Sequence, residues 1–166
     1  MRVHGRGGAG GGTPTGWPVA GYISEAGADA NLTATANTLW LAIIPIVNAV
    51  IFSKLTLFVG TGDGANNSDF GIYDHTGTLV ANIGAQILGA FAIVTAAAVQ
   101  GSVTIQPGLY GIAFTSAGST LQIFGHDNMC LYRNASFGVS AGGALPASIT
   151  FPALSPNDLV PAFALS

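Results

Sequence analysis

From Asn37 onward, apolar residues come in short runs, many alternating with polar ones, broken by turn residues at intervals of roughly 8–15 positions. In SKLTLFV, Ser53, Leu55, Leu57 and Val59 share one face of an extended chain, and Lys54, Thr56 and Phe58 share the other, because successive strand side chains point to opposite sides. The pattern predicts strands at 38–44, 49–59, 69–74, 78–83, 87–94, 99–105, 109–115, 120–125, 129–133, 145–151 and 158–164. The Ala-rich FAIVTAAA, 91–98, contains helix formers, but Ile93, Val94 and Thr95 lean to strand. No long stretch repeats with the period of a helix.

Turn chemistry refines this reading. DFGIYD and TLVANI are joined by His75-Thr76-Gly77, which predicts a hairpin with Gly77 at positive φ. In that hairpin Phe70 and Ile72 face one side, and Gly71 and Tyr73 the other. In SVTIQPGLYGIAF, Pro107-Gly108 fits the central positions of a type II turn. Many short strands without crossover helices predict an all-β fold, an antiparallel β-sandwich of jelly-roll type.

The chain divides into three zones. Residues 1–16, MRVHGRGGAGGGTPTG, form a Gly-rich N-terminal arm with too little apolar surface for a core. Residues 17–36 are a connecting segment, with a short helix around 26–36 as one reading, and residues 37–166 are the β-sandwich domain. The apolar run LWLAIIPIVNAVIF, 39–52, is too short for a typical bilayer span and reads as two buried strands around a turn.

Charge narrows the function classes. Four Lys and Arg and seven Asp and Glu make up 7% of 166 residues, while 49% are apolar. The usual charged share is about 25%. Arg2 and Arg6 sit in the arm, which leaves Lys54 and Arg133 as the only cations of the body. A nucleic-acid partner is therefore not expected, because binding a phosphate backbone needs several cations to displace counterions. No membrane partner is expected either. A surface so poor in charge suits contact with other protein. The single cysteine, Cys130, excludes an internal disulfide framework and reads as a small buried hydrophobe.

Three stretches imitate enzyme motifs. Gly60, Gly62 and Ala65 fit the G-x-G-x-x-A of a dinucleotide site, but turn and hairpin residues follow where a helix is required. Asp69, Phe70 and Gly71 spell the kinase DFG without a catalytic loop anywhere in the chain, so they read as strand. GVSAG, 138–142, places Ser140 in a G-x-S-x-G pattern with no histidine after it, and only His126 and Asp127 remain as spatial partners. No catalytic residue, cofactor or metal site is expected. Asp63, Asn67 and Asp69 offer oxygen ligands for calcium, but Asx residues also favour turns. His4, His75 and His126 lack zinc-site spacing.

Read together, FSKLTLFVGTGDGANNSDFGIYDHTGTLVANIG, TIQPGLYGIAF and the ending LPASITFPALSPNDLVPAFALS resemble virion jelly-roll proteins of tailed bacteriophages, a group that includes capsid decoration proteins, head fibres and tail-fibre tips. The resemblance implies a non-enzymatic structural protein. The leading expectation is a capsid decoration (cement) protein, made in the host cytoplasm and carried on the virion. Its partners would be the major capsid protein and copies of itself, as a homotrimer. Arg2, His4, Arg6 and Trp17 would be the partner-binding residues of the arm. The alternative is a tail-fibre or receptor-binding domain recognising host surface glycan, with Trp17, Trp40, Tyr73, Tyr110 and Tyr132 as candidate sugar platforms.

Overall fold

The computed structural model describes residues 30–89, 92–132, 141–151, 156–161 and 163–165. Among them the chain is all-β and antiparallel, with a single 3₁₀ turn at Ala141–Gly143. The strands are β1 (Ala30–Thr33), β2 (Thr38–Ile46), β3 (Val50–Phe52), β4 (Lys54–Thr61), β5 (Asn67–Tyr73), β6 (Leu79–Asn82) and β7 (Gln86–Ile87). They continue as β8 (Ala92–Ala97), β9 (Val103–Ile105), β10 (Gly108–Ser116), β11 (Gln122–Tyr132), β12 (Pro156–Pro161) and β13 (Phe163–Leu165).

These strands form a six-stranded, a five-stranded and a two-stranded sheet. In the first, β8 pairs with one side of β4, β11 and β13 with the other; β1 lies on the far side of β11, and β12 pairs with β11 on the side that faces β4. The second runs β2-β10-β5, with β6 and β7 both on β5. The third is β3 with β9. The pairing is nested along the chain: β1 with β11, β2 with β10, β3 with β9, β4 with β8, and β5 with β6. Two further pairs, β4 with β11 and β5 with β10, knit the nest into sheets.

Alternation builds a core between the two larger sheets. Leu55, Leu57 and Val59 of β4, with Leu32, Ile123 and Leu165, meet Trp40, Ala42, Ile44 and Ile46 of β2 and Phe70, Ile72, Ile112 and Phe114. Trp40 stacks on its cross-strand partner Phe114, with ring centroids 6.0 Å apart and planes within 7°. The opposite face of the second sheet carries a smaller cluster. There Leu39, Leu41, Tyr73 and Ala113 are covered by Leu145 and Ile149, with Phe151 against them.

The DFGIYD–TLVANI hairpin forms as expected, with Gly77 at φ 85°. Its two faces also separate as expected, Phe70 and Ile72 into the main core and Tyr73 into the smaller cluster. At Gly71 an added methyl group would run into Asn82 and Leu145, so only glycine lets the covering segment lie this close.

Several boundaries are corrected. The reading of a helix at 26–36 gives way at Ala30–Thr33 to strand β1, which pairs with β11, so the sheet begins inside the connecting segment. The expected strand 49–59 breaks at Ser53 into β3 and β4, which belong to different sheets. The expected strand 87–94 is divided between β7 and β8, and only Val103–Ile105 of 99–105 is strand. Pro107-Gly108 does not form the type II turn: Gly108 is not at positive φ, and it begins β10, opposite Ile46. Strands 120–125 and 129–133 are one element, β11, with a shift in pairing between Asp127 and Leu131. Residues 158–164 divide into β12 and β13, which pair with β11 and β4.

Segment 145–151 is not a strand but a strap. Leu145 and Ile149 are buried, but Ala147, which would share their face in a strand, is exposed together with Ser148. The strap's backbone partners come mainly from the β5–β6 turn. Leu79 N–H donates to Ala147 O, Ile149 N–H donates to Gly77 O, and Ser148 forms a single bridge with Thr78.

Candidate functional site

The motif-like stretch 57–74 runs from β4 through a turn into β5. After Gly60, Gly62 and Ala65 comes strand β5 rather than a helix, so no helix N-terminus faces the glycines. Asp69 of the DFG sequence lies within β5, 1% exposed. Its Oδ1 accepts the N–H of Phe70 at 2.8 Å. Its Oδ2 accepts Asn82 Nδ2 at 2.7 Å and the N–H of Leu145 at 2.9 Å. Burial pushes the Asp69 carboxyl above the usual carboxylate range, although each of these donors pulls it down. The network continues outward: Asn82 N–H donates to Gln100 Oε1, and Gln100 Nε2 donates to Asn82 Oδ1, both at 2.9 Å. A surface glutamine, a strand asparagine and a buried carboxylate thus tie the strap's first buried residue to the sheet.

Asp63 and Asp74 serve turns. Asp63 is 4% exposed, and its Oδ1 accepts Asn66 Nδ2 at 2.9 Å. That bond outweighs the opposing effect of burial and holds the carboxyl below its usual range. Asp74 Oδ1 accepts Thr76 N–H, Thr76 Oγ1 and Thr78 N–H at 2.9, 2.6 and 3.0 Å. Burial pulls the Asp74 carboxyl up, and these bonds bring it below the ordinary value.

The calcium reading of Asp63, Asn67 and Asp69 does not gather into one set of ligands. Asp69 engages Asn82 and Leu145, Asp63 engages Asn66, and Asn67 is exposed. Among the described residues no group of three or more His, Cys, Asp or Glu is placed to hold a metal ion. No helix among them is long and apolar enough to cross a membrane.

Of the candidate sugar platforms, Trp40 and Tyr73 are buried. Tyr73 Oη donates to Pro146 O at 2.7 Å, and burial raises its pKa. Tyr110 is half-buried against the core. The arm residues Arg2, His4, Arg6 and Trp17, and also Ser140, lie outside the described residues. His126, Asp127, Cys130 and Tyr132 fall on β11, where the backbone alone is described.

The fold leaves several large apolar side chains outside. Val47, Ile51 and Leu109 are exposed around the β2–β3 turn and the starts of β3 and β10, and Pro45, opposite Leu109, is exposed beside them. Ile87, Ile93 and Val99 are exposed along β7, β8 and the turn after β8. From residue 76 to residue 125 the sequence contains no Asp, Glu, Lys, Arg or His. Sequence reasoning found the low charge but not this grouping. The signal was there, since the uncharged stretch holds four of these exposed large apolar residues.

In comparison with known proteins, the chain matches no family model, no curated protein and no solved structure.

Proposed function

We propose that this chain is a non-enzymatic structural protein of a tailed-phage virion, a jelly-roll sandwich that decorates the assembled capsid. The observation that carries the reading is the nested pairing of β1 with β11, β2 with β10, β4 with β8 and β5 with β6. It is the order obtained by rolling up one long hairpin, so that β4 also meets β11 and β5 also meets β10. That order supports the jelly-roll reading, an architecture used by viral shell proteins and lectins. Fold alone does not carry function. The second support is the surface: poor in charge, with exposed Val47, Ile51, Ile87, Ile93, Val99 and Leu109, it suits protein partners.

In this reading the body binds the major capsid protein and copies of itself, and the Gly-rich arm with Arg2, His4, Arg6 and Trp17 lies across a neighbour. The mechanism is mass action: a protein that binds the assembled shell and not its dissociated subunits stabilises the shell. The glycan-binding alternative needs exposed aromatic rings, and the burial of Trp40 and Tyr73 removes two of its platforms. Gold-labelled antibodies against the native protein, viewed on source virus particles, test the proposal. Label over heads is the expected outcome. Label confined to tails moves the function to receptor binding, and unlabelled particles overturn the virion reading.

A further inference from the structure

We infer that the free edge of β8 is a self-association surface, through which a second copy of this chain joins the first sheet edge to edge. Among the described residues β8 pairs with β4 on one side and with no strand on the other. A strand edge presents unpaired backbone N–H and C=O groups, and proteins that stay monomeric shield such edges with Lys, Pro, bulges or a covering segment.

The other edges of this fold are shielded or short. β2 approaches β11 and carries Pro45. Beside β6, Val99 N–H donates to Asn82 O, and Gln100 bonds Asn82 twice. β12 begins and ends in proline, and β1 and β13 have four and three residues. β8, with the sequence AIVTAA, has no charge and no proline, and its pairing with β4 runs without a bulge.

Side chains along this edge support the same conclusion. Ile93 is 55% exposed on the outer face of β8. On its inner face Val94 and Ala96 reach the core but remain half-buried, as does Val80 of β6. Ile87 and Val99, 55% and 66% exposed, flank the strand in sequence. Among the described residues, the core therefore stays partly open beside an unpaired edge.

The occupant follows from charge. A two-fold contact sets each group near its own copy, so any charge close to the axis opposes itself. Residues 76–125 carry no charged side chain and escape that repulsion, whereas an edge built to receive a charged partner would carry complementary groups. Two β8 strands pairing antiparallel would extend the first sheet through both copies and give a dimer. This contact is independent of what shell or cell surface the protein binds.

Sedimentation equilibrium of the full chain tests it, with Ile93→Lys on the edge and Ile51→Lys at the exposed end as a control. The wild-type chain is expected to dimerise, with Ile93→Lys weakening the dimer about tenfold or more and Ile51→Lys leaving it unchanged. A wild-type monomer at every concentration overturns the inference. So does a dimer or trimer that Ile93→Lys leaves intact. Should Ile93→Lys fail to fold by circular dichroism, hydrogen exchange of the wild-type protein decides. Protection of β8 amides that falls on dilution supports the contact, and protection independent of concentration overturns it.

Discussion

Asp69 and Leu145, 76 residues apart in sequence, meet through a 2.9 Å hydrogen bond in which the backbone N–H of Leu145 donates to the buried carboxylate. Replacing Asp69 by Ala leaves that N–H, the Phe70 N–H and Asn82 Nδ2 without their acceptor. Buried donors without partners are costly, so Asp69→Ala is expected to lose about 2–4 kcal/mol of stability. Urea unfolding measures this, and a loss below about 1 kcal/mol would mean that the cluster does not hold the strap.

The acids also predict opposite responses to pH. Burial raises the folded-state pKa of Asp69, so the stability tied to its protonated form is full below the unfolded value of about 4 and lost as pH rises through the folded value. Asp74 is shifted down, so its contribution is present above about pH 4 and lost as pH falls through its folded pKa. The stability gap between wild type and Asp69→Asn should therefore widen from pH 7 to pH 4, while that between wild type and Asp74→Asn holds down to about pH 4 and narrows below it. Urea midpoints at pH 7, at pH 4 and at about pH 2 check the two signs, and a parallel trend would refute the assignment.

Gly77 is held at φ 85°, and an added Cβ there would strike the Ile149 carbonyl. Gly77→Ala should destabilise by more than about 1 kcal/mol, because it combines a strained backbone with displacement of the strap. Gly142, also at positive φ but with nothing near its missing Cβ, makes a control. Gly142→Ala should cost less in the same thermal unfolding assay.

For the proposed decoration role, the scarcity of charge predicts capsid binding that changes less than about tenfold between low and moderate salt, since surface pairs are what salt screens. Deleting residues 1–12 should leave the body folded and weaken capsid binding. Both are measured by co-sedimentation with purified heads. Steep salt dependence would contradict the apolar contact, and unchanged affinity would remove the arm from it.

The sequence made some of this fold legible and hid the rest for physical reasons. The β5–β6 hairpin was readable because both its alternation and its Gly77 turn are local. The break at Ser53 leaves a trace: Val50 and Phe52 point inward at even positions, and Leu55, Leu57 and Val59 at odd ones. That change of phase marks two strands where continuous hydrophobicity suggests one. The strap reads as a strand because it is a short apolar run between turn residues, but Ala147 is exposed between buried Leu145 and Ile149, and the strap's bonding partners lie in a turn. The Asp69 cluster had no signature at all. Its partners Asn82 and Leu145 are 13 and 76 residues away, and no spacing rule joins them.

The nested pairing also sets a clock. Among the nested pairs only β5 and β6 are joined by a short turn, whereas β1 must find β11 across most of the described chain. Closing a larger loop costs more entropy, so folding should nucleate at the His75 turn and spread outward pair by pair, the β1–β11 pair forming last. Pulse-labelled hydrogen exchange during refolding would then protect Ile72 and Ala81 before Leu32 and Ile123. The outermost strands would spend the longest time unpaired, and that interval is when a newly made chain is most exposed to mispairing with its neighbours.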